Sequence, residues 1–313
     1  MSETTRLFLG LMGVLITASA VAGVLSWRAP KPLSSTLVNL NARIKAWWIM
    51  VGAMCVAFLF GKGGVIVLFA MISFAALREY ATLTQTRRAD HRVLLGMFLL
   101  VIPVQYYLIW IDWYGLYSIF IPVYCFLAMP VLTALSGDTS RFLERISEQQ
   151  WGGIMLSVYC ISHVPALMTL DIPGFDGKKL LLIAFLVATV QGSDVLQYIF
   201  GKLFGKHRIA PSISPSKTWE GFVGGGVAAA SLLGAGGLAW LTPFSPLQAG
   251  ALAAASCIMG FFGGLVASAI KRDRGVKDWG GHMIEGHGGM LDRADSLVFS
   301  APVFFHTVRY FWT

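Results

Sequence analysis

The chemistry this sequence can perform is concentrated between Lys271 and Asp295. Five of the chain's 16 acidic residues fall there, Asp273, Asp278, Glu285, Asp292 and Asp295, interleaved with Lys271, Arg272, Arg274, Lys277, His282, His287 and Arg293. A solvated loop is the plain reading of such a charge run, and three details speak against it. Gly280, Gly281, Gly286, Gly288 and Gly289 let a backbone approach an anion closely and aim successive N–H groups at it, which suits phosphate. Asp292 and Asp295 stand three apart at the mouth of the last apolar run, where helical geometry puts both on one face. Carboxylates so placed repel each other unless a cation lies between them, and Mg2+ is commonly held by one or two carboxylates plus substrate phosphates. Finally, mixed acids and bases are what a nucleotide–metal site needs: acids hold the ion, and bases neutralise the remaining phosphate charge.

Two more places add to this set. Asp194 lies within the apolar run VQGSDVLQYIF, where a carboxylate is costly enough to be a functional candidate. Ser214 and Lys217 sit in SPSKTWEGF, directly before a Gly-rich apolar run, and hydroxyls with a lysine beside a helix start make an anion-binding site. The nearby GKLFGKH is not a phosphate-binding P-loop, because its glycine spacing is wrong and no lysine–hydroxyl pair ends it. HExxH and GxSxG are absent. Cys55, Cys125, Cys160 and Cys257 are isolated in apolar stretches and are expected to be reduced packing residues.

The elements that position these residues must be membrane helices. The 313 residues are 56% hydrophobic and 13% charged, against roughly 45–50% and about 25% in soluble domains. That excludes a soluble globular fold. Apolar runs fall at 7–27, 46–60, 65–77, 93–110, 116–135, 151–170, 180–200, 221–241, 247–270 and 296–312. The second and third are short and share the break at Gly61 to Gly64, as a tight hairpin or one re-entrant element, so the expected fold is all-α and polytopic with nine or ten transmembrane helices. The first run is read as a retained span rather than a signal peptide, because Arg28 and Lys31 follow it. Of the 24 Lys and Arg, 19 lie in the loops after the odd-numbered runs and 3 in those after the even ones. This places the odd loops, and the polar site, on the cytoplasmic face. With no basic run interleaved with aromatics, the net charge of +8 reflects topology and a phosphate site, not nucleic acid.

SAIKRDRGVKD (268–278) followed by GHGGMLDRADS (286–296) resembles the C-terminal signature of the phosphatidate cytidylyltransferases, and 191–220 is similar to the motif preceding it. The matching positions are Ser268, Lys271, Arg272, Lys277, Asp278, His287, Gly288, Gly289, Asp292, Arg293 and Asp295. The likeness covers about a third of the chain; the first 180 residues match only in being polytopic. Two departures stand out. The loop KDWGGHMIEGHGG is one residue longer than usual, at Gly280 or Gly281, and Ile284-Glu285 replace the usual Ile-Pro, as in a divergent paralogue using another lipid phosphate.

The resemblance implies an Mg2+-dependent transfer of a cytidylyl group from CTP to phosphatidate at the bacterial inner membrane, and it leaves open a second, monovalent cation. It also implies a homodimer. Asp278, Asp292 and Asp295, with Asp194, are the expected metal ligands. Lys271, Arg272, Lys277 and Arg293 are expected on phosphates, with His287, Gly288 and Gly289 shaping the triphosphate loop. Ser214 and Lys217 are expected on the lipid phosphate or CTP. Residues 1–180 form the N-terminal transmembrane part and 181–313 the catalytic region. The alternatives are a CTP-dependent polyprenol or phytol kinase, a CDP-archaeol-type synthase and a transporter; a transporter's acids would be spread over several spans, not gathered at one face.

Overall fold

The computed structural model describes residues 3–32, 34–84, 87, 90–280 and 289–313. Ten helical elements correspond to the ten apolar runs: α1 (Glu3–Arg28), α2 (Ser35–Leu59), α3 (Gly61–Leu83), α4 (His91–Trp110), α5 (Tyr114–Ala134), α6 (Phe142–Thr169), α7 (Lys179–Phe204), α8 (Gly221–Gly237), α9 (Pro246–Asp273) and α10 (Met290–Trp312). Among the described residues, eight of them, α1 to α7 and α9, are long and apolar enough to cross a membrane. The chain is an integral, polytopic, all-α membrane protein. Against the expected nine or ten spans, α8 is too short to count, and α10 carries Asp292, Arg293 and Asp295 in its first two turns.

The second and third runs form a tight hairpin of two full-length helices and not a re-entrant element. The chain reverses at Gly61, whose φ of +58° is a left-handed conformation that glycine adopts without strain. Capping fixes other starts. Ser34 accepts from the Leu37 amide at the head of α2, and Ser245 and Gln248 form a reciprocal capping box at α9, with Pro246 in the first turn.

Cross-links sort the connections into two faces. At one, Arg87 bonds to Asp138 and Ser140, Arg145 to Asp90, and Arg274 to Glu148, which joins the connections after α3, α5 and α9. At the other, Lys62 bonds to Asp112 and to the Trp110 carbonyl, which joins those after α2 and α4. This alternation matches the division of basic residues between odd and even loops.

Helix packing relies on small residues, because lipid gives apolar helices no hydrophobic reason to associate. The α9–α10 seam is lined by Gly260, Gly263 and Gly264, where an added Cβ would come within 2.9 Å of Ser300 Oγ, 2.8 Å of the Asp295 carbonyl and 3.0 Å of Lys217 Nζ. Ser300 ties the seam with a bond to the Ser256 carbonyl at 2.6 Å. On the other side, α8 widens into π-type turns and lies so close to α7 that a Cβ on Gly225 would meet the Leu196 carbonyl at 2.3 Å. These contacts bring α7, α8, α9 and α10 together around one polar site.

Candidate active site

The segment carrying Ser214 and Lys217 is a two-stranded antiparallel hairpin, β1 (Arg208–Ala210) with β2 (Ser214–Thr218). Glu220 fastens its base. That carboxylate accepts from the His207 ring at 2.6 Å and from the Lys206 and His207 amides, and these bonds pull it down to about 2. Thr218 Oγ1 accepts from the Gly221 amide at 3.2 Å, so the hairpin leads directly into α8.

Between this hairpin and the helices lies an open cavity of about 510 Å3. Asp194 and Gln197 from α7, Lys217 from β2, Ser268 from α9, and Asp295 and Ser296 from α10 supply its polar walls, while Tyr198, Phe222 and Phe261 add aromatic surface. Three expected site residues therefore share one cavity although 101 positions separate Asp194 from Asp295.

Ser296 organises the acids. Its hydroxyl donates to Asp194 Oδ2 at 2.8 Å and approaches Asp295 Oδ1 at 3.3 Å, and its amide donates to Asp295 Oδ1 at 2.7 Å. The two carboxylates are close enough to repel each other, and Lys217 attracts both. Lys217 donates to the Phe261 carbonyl at 3.3 Å, and its ammonium lies 4.6 Å from the centre of that ring. Burial holds Lys217 below the ordinary lysine range, against the opposing pull of Asp295 and Asp194. Gly264 keeps the space clear: a Cβ there would come within 3.0 Å of Lys217 Nζ and 3.8 Å of Asp295 Oδ2. Lys202 lines the cavity as well, and so puts a second base beside the two acids.

Asp292 stands elsewhere, although the three-residue spacing places it on a common face with Asp295. Its Oδ2 accepts from the Trp279 amide at 2.7 Å and the Gly289 amide at 3.0 Å, and its Oδ1 is paired with Lys271. Asp292 thus folds back over the start of α10 as a cap. Lys271 pairs with Asp292 and also acts electrostatically on Asp295. Lys271 is buried in that ion pair. Arg272, in the last turn of α9, and Lys277 and Asp278, just beyond it, are exposed, with Arg272 donating to the Val276 carbonyl at 2.8 Å. Arg293 is half-buried on α10, its carbonyl accepting from Gln191 at 3.5 Å. Ser214 is opposite Ala210 in the hairpin and does not line the cavity; Ser216 does.

Gly289 is required by a carboxylate. A Cβ there would lie 2.4 Å from Glu79 Oε2. Gly280, at φ +70°, faces the same group. His287 and Gly288, together with Gly281, His282, Glu285 and Gly286, lie outside the described residues. Among the described residues, no three His, Cys, Asp or Glu side chains converge as a metal-binding group.

Sequence reasoning missed Ser216, Gln197, Ser296 and Glu79. Alternation along β2 would not have found Ser216, because Ser216, Lys217 and Thr218 all line the cavity in succession. The signal for Ser296 was a hydroxyl directly after an expected ligand. For Glu79 it was an acid ending an apolar run, in AALREYATL.

A polar cavity bounded by membrane helices, with Asp194, Asp295 and Lys217 at its walls, is what the fold of this membrane protein assembles. The chain belongs to the cytidylyltransferase family, whose profile matches residues 41–311. It is 39% identical over 302 residues to an uncharacterized protein of Escherichia coli (strain K12), YnbB, covering 96% of each. A phosphatidate cytidylyltransferase of Mycobacterium leprae (strain TN) is 43% identical over 120 residues, 38% of this chain and 37% of that one. That of Staphylococcus haemolyticus (strain JCSC1435) is 43% identical over 131 residues, 41% of this chain and 48% of that one. The matches to these two enzymes span less than half of each relative.

Proposed function

We propose that this protein transfers the cytidylyl group of CTP to phosphatidate, forming CDP-diacylglycerol and pyrophosphate, at a site facing the cytoplasm across the bacterial inner membrane. The observation that carries this reading is the cavity itself. It joins Asp194, Asp295 and Lys217 to aromatic walls among membrane helices, so an amphiphile and a polar nucleotide can meet there. The two partial relatives named as phosphatidate cytidylyltransferases support the same reaction.

In the reaction, an oxygen of the lipid phosphate attacks the α-phosphorus of CTP, and the bond to the bridging oxygen of the β-phosphate breaks, releasing pyrophosphate. The nucleophile is already ionised at neutral pH, so the protein needs to supply position and charge neutralisation more than a general base. Lys217 is placed to hold a phosphate oxygen, and Phe222, Phe261 and Tyr198 to pack against lipid or base. Asp194 and Asp295 would hold Mg2+, because two carboxylates bridged by one serine leave its other positions to phosphates and water. When bound, that ion would neutralise charge developing on the phosphates. Ser296 keeps both acids oriented.

The test supplies purified protein with α-labelled CTP, Mg2+ and a panel of lipid phosphates, and identifies both products. Labelled CDP-lipid with pyrophosphate is expected, with phosphatidate the best acceptor. Release of CDP with a newly phosphorylated lipid would instead establish a kinase and overturn the reading.

Lys217→Met is expected to raise the KM for CTP or lipid phosphate roughly 10- to 100-fold, the value of one charge-assisted hydrogen bond. Because burial depresses Lys217, its ammonium is lost at lower pH than an ordinary lysine's. Wild-type affinity should therefore fall on the alkaline side before the usual lysine range, and Lys217→Met should lack that limb. A KM profile unchanged by the substitution would remove Lys217 from substrate binding.

A further inference from the structure

The described ends of the loop between α9 and α10 are held by the N-terminal helices, to which the proposed chemistry assigns no part. Glu79, near the end of α3, is 4% exposed, and its carboxylate reaches the first turn of α10. Oε1 accepts from the Met290 amide at 2.7 Å and Oε2 from the Leu291 amide at 2.9 Å. These are two of the free N–H groups at a helix start, where a negative charge is favoured by the helix dipole. Gly289 and Gly280 leave room for the carboxylate. Next along α3, Tyr80 packs on the fully buried Trp279, with ring centres 5.8 Å apart. Gly152 of α6 makes space for Tyr80, and Glu148 of α6 binds Arg274 at the beginning of the same loop.

We infer that Glu79 is a positioning residue for cytidylyl transfer, fixing the N-terminus of α10 and through it the placement of Asp295 beside Asp194. Asp295 lies five residues into α10 from Met290, about 7.5 Å along the axis, and a slip of one residue would turn it about 100° away from the cavity. Glu79 is not among the residues lining the cavity, so its effect passes through helix register. Because the Met290 and Leu291 amides are engaged by Glu79, substrate phosphates are left to Lys217 and its neighbours.

The kinetic half of this inference rests on the proposed transferase activity; the clamp itself does not. In full-length protein, Glu79→Ala should speed hydrogen exchange at the Met290 and Leu291 amides by roughly 10-fold or more, while core helices stay protected. It should also lower kcat roughly 100-fold, the scale of an ångström's misplacement, with the KM for CTP within about threefold. Glu79→Gln, nearly isosteric and still able to accept one N–H, should fall between and remains usable where Glu79→Ala does not fold. Unchanged exchange at these amides would overturn the clamp, and faster exchange with wild-type kcat would overturn the positioning role. If the wild type makes no CDP-lipid, that failure belongs to the transferase reading, and the exchange measurement still decides the clamp.

Discussion

Asp295→Asn is expected to cut cytidylyl transfer by roughly a thousandfold and, in the same protein, to raise the melting temperature. The two effects share one cause. Burial is the largest penalty on the Asp295 charge and repulsion from Asp194 adds to it, while Lys271 and Lys217 compensate only in part. A like-charge pair a few ångströms apart at an effective dielectric of about 20 costs roughly 2–4 kcal/mol, part of which Lys271 and Lys217 offset. Asparagine keeps the shape and accepts from the Ser296 amide, but leaves a neutral Asp194–Lys217 pair. A net gain of about 1 kcal/mol should appear as a rise of roughly 2–4 °C in thermal unfolding of the purified protein. The same substitution removes half of the paired carboxylate, and turnover should fall by roughly a thousandfold, the scale seen when one preorganised electrostatic group is removed. The assay is labelled-pyrophosphate release beside a melting curve. Near-normal turnover would remove Asp295 from the chemistry, and a lower melting temperature would show that the acids are held by something other than mutual tolerance. A site that is less stable than its neutral version is what stability–activity trade-off predicts for a functional cluster.

Much of the architecture was legible because membrane helices announce themselves through length and apolar composition. Runs such as 93–110 and 247–270 reappear within α4 and α9, and Ser245-Pro246 with Gln248 marks the α9 start by local chemistry alone. Charge asymmetry between odd and even loops anticipated which connections meet, as Arg87 with Asp138 and Arg274 with Glu148 now show. What failed was inference from one element about contacts made with another. Spacing correctly put Asp292 and Asp295 on one helix face, but it could not reveal that the first turn of α10 needs a cap. Glu79 was invisible for a stronger reason: its partner amides lie 211 and 212 positions away, and only the packed helices bring them together. The short second and third runs hid two full helices because the polar ends of α2 and α3 lower the local apolar content without breaking the helix.

The contrast between neighbouring acids gives the second large prediction: Asp292→Asn should lower stability where Asp295→Asn raises it. Asp292 is paired with Lys271 across a buried contact, with 15% and 9% of the two side chains exposed, and it caps the Trp279 and Gly289 amides. Asparagine can still accept one amide. Its NH2 group, however, would face the Lys271 ammonium, leaving a buried cation with no counter-charge. Removing one partner from such a pair costs about 3–5 kcal/mol, enough to depress the melting temperature by roughly 10 °C. Lys271→Met alone should be destabilising in the same way, by stranding the carboxylate. The double substitution should recover much of the loss, because neither charge is then left unpaired, and a double-mutant cycle should return a coupling of about 2–3 kcal/mol. Activity will fall in Asp292→Asn because α10 loses its cap, so turnover alone does not separate this acid from Asp295. The sign of the melting shift does: one residue of the pair Asp292 and Asp295 maintains the helix, and the other is maintained at the helix's expense. A stabilising Asp292→Asn, or additivity within about 0.5 kcal/mol in the cycle, would assign Asp292 to the cavity after all.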